Sequence, residues 1–441
     1  MMNYISQIVF AIILVAGIGY FVANIKRLIR NIRLGRSIDR TDRKKERWNT
    51  MIRIALGQQK MVVRPIAGIL HIIVYVGFVV INIEIIEIII DGLFGTHRVL
   101  SFLGVFYDIL IGTFDILAAL VIISIVLFWI RRNIIKIKRF FFSEMKGWPK
   151  TDANVILYFE LILMLLFLTM NAADYSLQQL GSTHYQTAGA FPISQYLSSL
   201  LTPLNEASLI IVERTAWWLH IVGVLIFLNY LYYSKHLHIL LAFPNTWYSD
   251  LNPQGQMNNL ESVTNEVKLM MDPDADPYAV TEGDDQEVEK FGASDVGDLN
   301  WVQLMNAYSC TECGRCTSEC PASQTGKKLS PRKIMMDTRD RLEEVGKNID
   351  ANKGVFIDDG KQLLDEYITR EELWACTTCN ACVEACPVNI SPLSIIMDMR
   401  RFLVMEQSAA PMELNNMMSN VENNAAPWPY NQMDRLNWRN E

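Results

Sequence analysis

Cysteine and histidine are scarce in this sequence. Only eight of the 441 residues are Cys and six are His, and every cysteine belongs to one of two short runs. No cysteine is left to cross-link the rest of the chain, which excludes a disulfide framework there. The formal net charge is −7, and the basic residues cluster beside apolar segments. This distribution argues against a nucleic-acid-binding protein.

Charge and hydrophobicity divide the chain into two unlike halves. Residues 1–240 contain 23 Lys and Arg against 14 Asp and Glu, a net of +9, so residues 241–441 carry −16 of the total of −7. Nearly all long apolar runs lie in the first part. The sequence therefore predicts a basic membrane half followed by an acidic soluble half.

Several apolar runs are long enough to cross a bilayer as helices. These runs cover residues 4–24, 66–90, 105–130, 154–172 and 211–234. The first run resembles a signal peptide, but Lys26, Arg27 and Arg30 follow it instead of preceding it, and no small-residue cleavage site is evident. We therefore predict five transmembrane helices, the first of them retained with its N-terminus outside.

The loops between these segments differ in charge. Lys and Arg crowd residues 26–48 and 131–140, whereas residues 92–104 contain only Arg98 and residues 173–213 contain no Lys or Arg. The positive-inside rule places the two basic loops in the cytoplasm. Five crossings then leave everything after the fifth segment in the cytoplasm of a bacterial cell, below the inner membrane. Thiolates remain available for metal on that reducing side.

Both cysteine runs have the spacing Cys-x2-Cys-x2-Cys-x3-Cys-Pro. Three thiolates from one such turn hold three corners of a cubane cluster, and the fourth serves the neighbouring cluster. Structural zinc would need only paired Cys-x2-Cys arms, without the third cysteine and the Cys-Pro ending. We therefore predict two [4Fe–4S] clusters, the first held by Cys310, Cys313, Cys316 and Cys386, and the second by Cys376, Cys379, Cys382 and Cys320.

The segment between the cysteine runs indicates the type of ferredoxin fold. It contains the helix-like stretches "SPRKIMMDTRDRLEEVGKNI" and "DDGKQLLDEYITREELWA". A compact βαβ ferredoxin has little room for such an insert. We therefore expect an all-α protein: a five-helix transmembrane cytochrome b-like bundle followed by a helical ferredoxin domain. The two close clusters would form an electron relay with no evident substrate pocket.

Histidines at the ends of predicted spans are candidate haem ligands, because a buried imidazole needs a partner. His220 and His238 lie about five helical turns apart, on one face if the fifth helix continues to about residue 241, with His236 about 160° away as an alternative ligand. His71 in the second span lies at a depth similar to that of His238. Facing histidines can hold a b-type haem by bis-imidazole ligation. The competing interpretation is that each histidine only caps or hydrogen-bonds within the bundle.

The number of haem groups is open at this point. His220 would serve a second haem nearer the outer face, but the second span offers no facing histidine there. That second haem is then absent, or singly ligated by protein, or replaced by a pairing of His71 with His220. One haem b is expected, and two is the alternative.

Charged residues at the outer ends of the spans form a second candidate site. They are Glu84, Glu87, Glu213 and Arg214. Charges at such positions handle protons at a quinone site or lie in the interfacial headgroup zone, and both interpretations are open.

Particular stretches are similar to known families. "RPIAGILHIIVYVGF" and "SKHLHILLAFPN" resemble nitrate-reductase gamma-type cytochrome b modules, and "LNWVQLMNAYSCTECGRCTSECPASQTGKKLSPRKI" resembles the ferredoxin segment of heterodisulfide-reductase-related respiratory proteins. The order of parts is similar to that of membrane-bound electron-transfer-flavoprotein:menaquinone oxidoreductases and DsrMK-like proteins. The resemblance implies His71 and His238 as ligands of the haem nearer the cytoplasm, His220 as the counterpart of the outer-haem ligand, and all eight cysteines as cluster ligands.

The chain also departs from that family in two ways. Ile81 stands where a partner histidine is expected about ten residues after His71, and no cysteine remains for the Cys-Cys-Gly domain that usually follows the ferredoxin. The resemblance therefore implies a separate cytoplasmic partner, a Cys-Cys-Gly-type iron–sulfur protein or an electron-transfer flavoprotein.

These observations predict four regions. They are a transmembrane cytochrome b-like domain (1–242), an acidic linker (243–300), the helical ferredoxin domain (301–405) and a disordered or partner-binding tail (406–441). The predicted function is electron transfer between the cytoplasmic partner, two [4Fe–4S] clusters, haem b and menaquinone, in the quinone-reducing direction, as a subunit of a membrane quinone oxidoreductase. The alternatives are a quinol-driven disulfide reductase subunit and a membrane-anchored iron–sulfur redox sensor.

Overall fold

The computed structural model describes residues 4–273 and 290–440. Over these residues the chain is all-α, with no strand and two isolated bridges, which confirms the predicted fold class. The helices of the membrane half are α1 (Ile5–Ile32), α2 (Lys44–Met51), α3 (Pro65–Phe94), α4 (Val105–Asn133), α5 (Trp148–Gln179), α6 (Ser194–Leu197), α7 (Glu206–Tyr230) and α8 (His238–Trp247).

The soluble half consists of shorter helices, apart from one long helix at its centre. They are α9 (Glu261–Met271), α10 (Trp301–Ser309), α11 (Arg315–Glu319), α12 (Pro321–Gln324), α13 (Pro331–Ala351), α14 (Leu363–Glu366), α15 (Arg370–Trp374), α16 (Ala381–Ala385), α17 (Pro392–Arg401) and α18 (Met412–Asn424). Turns of 3₁₀ or π geometry cover Ile52–Leu56, Val99–Leu103, Lys138–Phe140, Ser143–Met145, Ser198–Leu201, Leu231–Tyr233, Lys235–Leu237, Val296–Asp298, Phe402–Glu406 and Gln432–Arg439.

Five helices are long and apolar enough to cross a membrane, as predicted: α1, α3, α4, α5 and α7. They close into a bundle in which α1 contacts α3 and α7, α4 contacts α3 and α5, and α5 contacts α7. Phe114, Phe167 and Ile221 fill the interior, whereas Val15 and Ile109 are exposed on the outer surface. Apolar side chains on the outside of a helix bundle suit a lipid environment, and helices satisfy their own backbone hydrogen bonds there.

The soluble half packs directly on one end of this bundle. Leu28 of α1 and Leu237 belong to the same buried core as Leu304 of α10. Asn31 Nδ2 donates a hydrogen bond to the hydroxyl of Tyr308 (2.9 Å), which joins the end of α1 to α10. The two halves therefore share a continuous interface and hold fixed positions relative to each other.

The boundary between the halves differs from the expected one. The stretch predicted as an extended linker contains the end of α8 and all of α9, and its residues 274–289 lie outside the described part. Ala293 and Leu299 are buried in the soluble core, and the Ala293 amide donates to the Asp398 carbonyl (3.0 Å). The ordered soluble domain thus includes residues before 301. In the tail, α18 is helical with no buried residue.

A buried arginine anchors the soluble half to the membrane half, and its loss should be costly. Arg332 is 0% exposed and donates to the Arg139 carbonyl and to Glu144 Oε1, both at 2.7 Å. Arg332→Met leaves the buried Glu144 carboxylate unpaired, so we expect the free energy of unfolding to fall by about 3–5 kcal/mol. Denaturant unfolding of the detergent-solubilised protein, followed by helical circular dichroism, measures the difference.

The matched control is an exposed ion pair of the same domain. Lys328 pairs with Glu371 at 2.6 Å, and both side chains are mostly in solvent. Lys328→Met should leave the unfolding curve unchanged because solvent screens such pairs. Equal stability of the two variants would contradict the anchoring role of Arg332.

Candidate functional site

The two cysteine runs form matching turns in the soluble half. The first run begins where α10 ends and continues into α11, and the second begins after α15 and continues into α16. Gly314 and Asn380, the residues before α11 and α16, both adopt left-handed backbone conformations with φ of 70° and 60°. A Cβ at Gly314 would clash with the guanidinium of Arg332, so glycine is required there.

The structure brings the thiols together across the two runs. Cys386 of the second run lies with the first turn, and Cys320 of the first run lies with the second turn. The thiols form two groups whose members influence one another by their charge. The first group is Cys310, Cys313, Cys316 and Cys386, and the second is Cys376, Cys379, Cys382 and Cys320; Cys382 also lies near Cys316. This grouping is the one required if each run supplies its fourth cysteine to the cluster of the other run.

Burial alters the acidity of these thiols. It raises the pKa of Cys310 and of Cys382 to about 12 and that of Cys386 to about 11. Backbone amides point at two of the sulfurs: Thr378 N donates to Cys376 Sγ (3.4 Å) and Ile390 N donates to Cys386 Sγ (3.3 Å). Cys310, Cys382 and Cys386 therefore keep their protons at neutral pH unless iron displaces them, and the amides favour the thiolate form of Cys376 and Cys386.

The two cysteine groups differ in exposure. Cys310 and Cys386 of the first group are buried in the core that the two halves share, whereas Cys379 of the second group is exposed, as is Thr377 of the same turn. The second turn thus opens to solvent, and the first faces inward.

His71 of α3 and His238 at the start of α8 face each other. Their ring centroids are 6.4 Å apart and their planes are inclined by 42°. Two imidazoles bonded to opposite sides of one iron at about 2 Å each place their centroids about 6 Å apart. His238 Nδ1 lies 3.1 Å from the Lys235 carbonyl, which leaves Nε2 free, and His71 Nδ1 is buried without a hydrogen-bond partner among the described residues. This pair fits axial ligation of a haem iron.

A cavity of about 380 Å³ surrounds the histidine pair, and we call it the junction cavity. Its lining is mostly apolar, with Phe78 and Phe128 among its side chains, and its volume lies in the range of about 300–1,000 Å³ usual for cofactor sites. The cavity also reaches the first cysteine turn. Cys313, Arg315 and Pro387 form that part of its wall.

The path of the chain to His238 corrects the expectation for the fifth helix. α7 ends at Tyr230, Ser234 is extended (φ −119°, ψ 149°), and α8 restarts at His238. The Asp152 carboxylate of α5 stabilises this break by accepting hydrogen bonds from the Tyr230 hydroxyl (2.6 Å) and from the Lys235 amide (3.1 Å). The prediction of one continuous helix to about residue 241 is therefore wrong, and His220 and His238 do not share a helix face.

The remaining histidines of this region occupy different environments. His236 lines the junction cavity, where its Nε2 lies 3.4 Å from Glu160 Oε1 and its ring is 5.3 Å from that of His238. His220 lies outside the cavity; its Nδ1 is 3.0 Å from the Leu163 carbonyl and its ring is 5.8 Å from that of Phe167. The structure thus pairs His71 with His238 and not with His220.

The predicted outer acidic residues also converge, inside the bundle. Glu84, Glu87 and Glu213 are at most 3% exposed, and Glu213 pairs with Arg214, whose Nη2 is 2.5 Å from Glu213 Oε1. All four residues line one small cavity. Glu84 Oε2 has no hydrogen-bond partner among the residues described. In this outer polar cluster the three carboxylates are buried within the bundle and Arg214 is partly exposed.

Sequence reasoning missed several members of the outer polar cluster. Arg98 bonds to Asp174 (2.5 Å), Tyr107 donates to Glu87 Oε2 (2.9 Å), and Tyr185 donates to Glu213 Oε2 (2.8 Å). One sequence signal could have indicated the contact of Arg98 with Asp174. Arg98 is the single Lys or Arg of residues 92–104, and such an isolated cation favours an acidic partner.

The fold and the cysteine turns define a class: a membrane protein of five spanning helices with a C-terminal [4Fe–4S] dicluster region. The family model of the 4Fe-4S dicluster domain matches residues 309–390, which confirms the predicted iron–sulfur region. No solved structure matches the chain.

Known relatives fall in the family that the sequence resembles. The chain is 28% identical over 464 residues to the probable iron-sulfur-binding oxidoreductase FadF of Bacillus subtilis, covering 99% of this chain and 61% of that protein. It is 25% identical over 431 residues to the EtfAB:quinone oxidoreductase of Syntrophomonas wolfei, covering 92% and 55%. A protein of Archaeoglobus profundus that is similar to a heterodisulfide reductase subunit is 27% identical over 143 residues, covering 32% and 63%.

These comparisons establish a general role. The relatives are iron–sulfur oxidoreductases or subunits of such complexes, so the resemblance is confirmed: the chain is similar to iron–sulfur electron-transfer oxidoreductases of the quinone and heterodisulfide reductase type. The chain spans less than two thirds of the length of the FadF and EtfAB:quinone oxidoreductase relatives.

Proposed function

We propose that this chain relays electrons from a cytoplasmic redox partner to menaquinone, as a subunit of a membrane quinone oxidoreductase. The observation that carries the proposal is the junction cavity, because His71 and His238 of the membrane half and Cys313 of the first cysteine turn share its wall. When bound, haem b and the two [4Fe–4S] clusters supply one-electron transfer across this junction.

The residues that hold these groups follow from the geometry above. His71 and His238 hold one haem b; Glu160 orients the neighbouring His236, which stays the alternative ligand. We propose a single haem, because His220 lies outside the junction cavity and its ring contacts Phe167 instead of a second histidine. Cys310, Cys313, Cys316 and Cys386 hold the first cluster, and Cys376, Cys379, Cys382 and Cys320 hold the second.

The exposure of the cysteine turns supports an order for the two clusters in the relay. The second turn opens to solvent at Thr377 and Cys379, whereas the first turn lies at the junction cavity. We therefore place the docking position of the partner, a Cys-Cys-Gly-type iron–sulfur protein or an electron-transfer flavoprotein, at the second turn. The likeness to an EtfAB:quinone oxidoreductase supports this choice of partner.

The charge of the bundle ends supports a cytoplasmic position for the soluble half. Arg64 and Arg315 lie at the interface between the halves, where Arg64 Nη2 donates to Ser318 Oγ (2.8 Å) and Arg315 Nη1 to the Lys60 carbonyl (2.9 Å). The end of the bundle that carries the basic loops is thus the end that carries the cysteine turns. By the positive-inside rule this end faces the cytoplasm of a bacterial inner membrane.

The outer polar cluster is the proposed proton-handling group beside a quinone. Glu84, Glu87 and Glu213 are buried, and Arg214 is partly exposed, at the end of the bundle opposite the cysteine turns. Glu84 Oε2 lacks a partner among the described residues and can accept or release a proton there, and Tyr107 and Tyr185 orient the neighbouring carboxylates.

The test uses the intact protein purified from membranes. We expect about eight non-haem irons per chain from the ligand count, reduced-minus-oxidised bands of a b-type haem, and reoxidation of the dithionite-reduced haem by a menaquinone analogue. Heat-treated protein controls for non-specific oxidation. Absence of haem bands would reject the cytochrome role, and haem that quinone fails to reoxidise would reject the quinone-reducing direction.

A further inference from the structure

We infer that Arg132 and Arg139 bind the two propionate carboxylates of the haem in the junction cavity. Both side chains line that cavity together with His71 and His238. The inference rests on the proposed function, since it assigns residues to the haem proposed there.

Arg139 forms no ion pair with a carboxylate of the described residues, and the Cys313 thiol is near it. Its guanidinium makes no hydrogen bond or ion pair within the described chain, and its Nε is buried. Its contact is with the ring of Phe140, whose centroid is 5.0 Å from the guanidinium carbon. Burial and the nearby Arg64 lower the pKa of Arg139 to about 10, although the neighbouring Cys313 thiolate opposes this shift.

Arg132 is in the same situation. It is 8% exposed, its Nε is buried without a partner among the described residues, and its Nη2 makes only long contacts with the carbonyls of Pro149 (3.5 Å) and Lys150 (3.4 Å). Its guanidinium carbon lies 5.1 Å from the centroid of the same Phe140 ring. Two arginines therefore converge on one aromatic side chain beside the cavity.

The nearest carboxylates of the protein are already engaged. Glu312 bonds to Lys235 and to Arg339 (2.8 Å), and Asp152 bonds to the Tyr230 hydroxyl and the Lys235 amide. Arg132 is buried, Arg139 is partly buried, and neither forms an ion pair with a carboxylate of the described residues, so the site suits an anion from outside the chain.

The chemistry of haem b supplies that anion. The group is a flat apolar ring with two carboxylates on one edge, and a guanidinium fork matches a carboxylate with paired hydrogen bonds. The junction cavity offers an apolar wall, a histidine pair and two guanidiniums that lack an anion.

The test replaces each arginine with glutamine and follows the haem potential. Loss of a positive charge favours ferric haem, so we expect Arg132→Gln and Arg139→Gln each to lower the haem midpoint potential. The expected shift is at most about 59 mV, which corresponds to a tenfold change in the one-electron equilibrium constant. Arg139→Lys should keep most of the potential. Optical redox titration of the purified protein gives the haem value, and electron paramagnetic resonance gives the cluster signals.

Arg131→Gln is the matched control, because Arg131 precedes Arg132 in α4 but does not line the cavity. It should leave the haem potential unchanged. Altered cluster potentials with an unchanged haem potential would overturn the inference and assign the arginines to the first cluster. Absence of haem from the wild-type protein would be a failure of the proposed function instead.

Discussion

Replacing His71 with alanine should remove almost all haem from the protein while leaving its iron–sulfur clusters in place. The side chain supplies one of two facing imidazoles, and its partner His238 cannot hold the iron alone in an apolar cavity. The cysteine turns do not depend on His71, so about eight non-haem irons per chain should remain. Pyridine haemochrome absorbance and iron analysis of the same preparation measure both quantities.

Control variants decide between the candidate ligands. His238→Ala should lose haem as His71→Ala does, whereas His236→Ala should keep it, because His236 already pairs with Glu160. His184 is exposed, and His184→Ala should behave like the wild type. Retention of haem by His71→Ala would exclude His71 as a ligand. Loss of haem by His236→Ala, together with retention of haem by His238→Ala, would make His236 the ligand in place of His238.

The cluster region and the spanning helices could be predicted from sequence because their signals are local. Cysteine spacing encodes the turn that surrounds a cubane cluster, and a long apolar run encodes a helix in lipid. The break at Ser234 could not be predicted in this way. It depends on Asp152, which lies 83 positions from Lys235 in sequence and reaches it only after α5 and α7 pack together. A same-face argument assumes a regular helix and fails where a tertiary contact interrupts it.

The same limit applies to the polar residues of the bundle. Glu84 and Glu87 stood out as charges inside an apolar run, but their burial and their neighbours depend on the loop that carries Arg98 and on Asp174 of α5. Likewise, Arg132 and Arg139 counted in the sequence only as part of a basic loop. Only the positions of the described residues around them show that neither arginine forms an ion pair with a carboxylate.

Double substitutions of cysteines should separate the two clusters. If Cys320 serves the cluster of the second run, Cys320→Ala and Cys379→Ala remove the same cluster, so the double variant should retain about four irons per chain. Cys320→Ala combined with Cys313→Ala removes a ligand from each cluster and should leave almost none. Iron analysis and low-temperature electron paramagnetic resonance of the reduced proteins give the counts.

Cys386 provides the reciprocal test. Cys386→Ala with Cys313→Ala should retain about four irons, and Cys386→Ala with Cys379→Ala should retain almost none, since each cluster needs its full ligand set. If each fourth cysteine served its own run, all four double variants would give the opposite iron counts. The structure argues for exchange, because Cys386 has Cys313 as its neighbouring thiol and Cys376 has Cys320. Exchange would also link the exposed second turn to the first turn, and it would place one proposed cluster at the solvent-exposed surface and the other at the junction cavity.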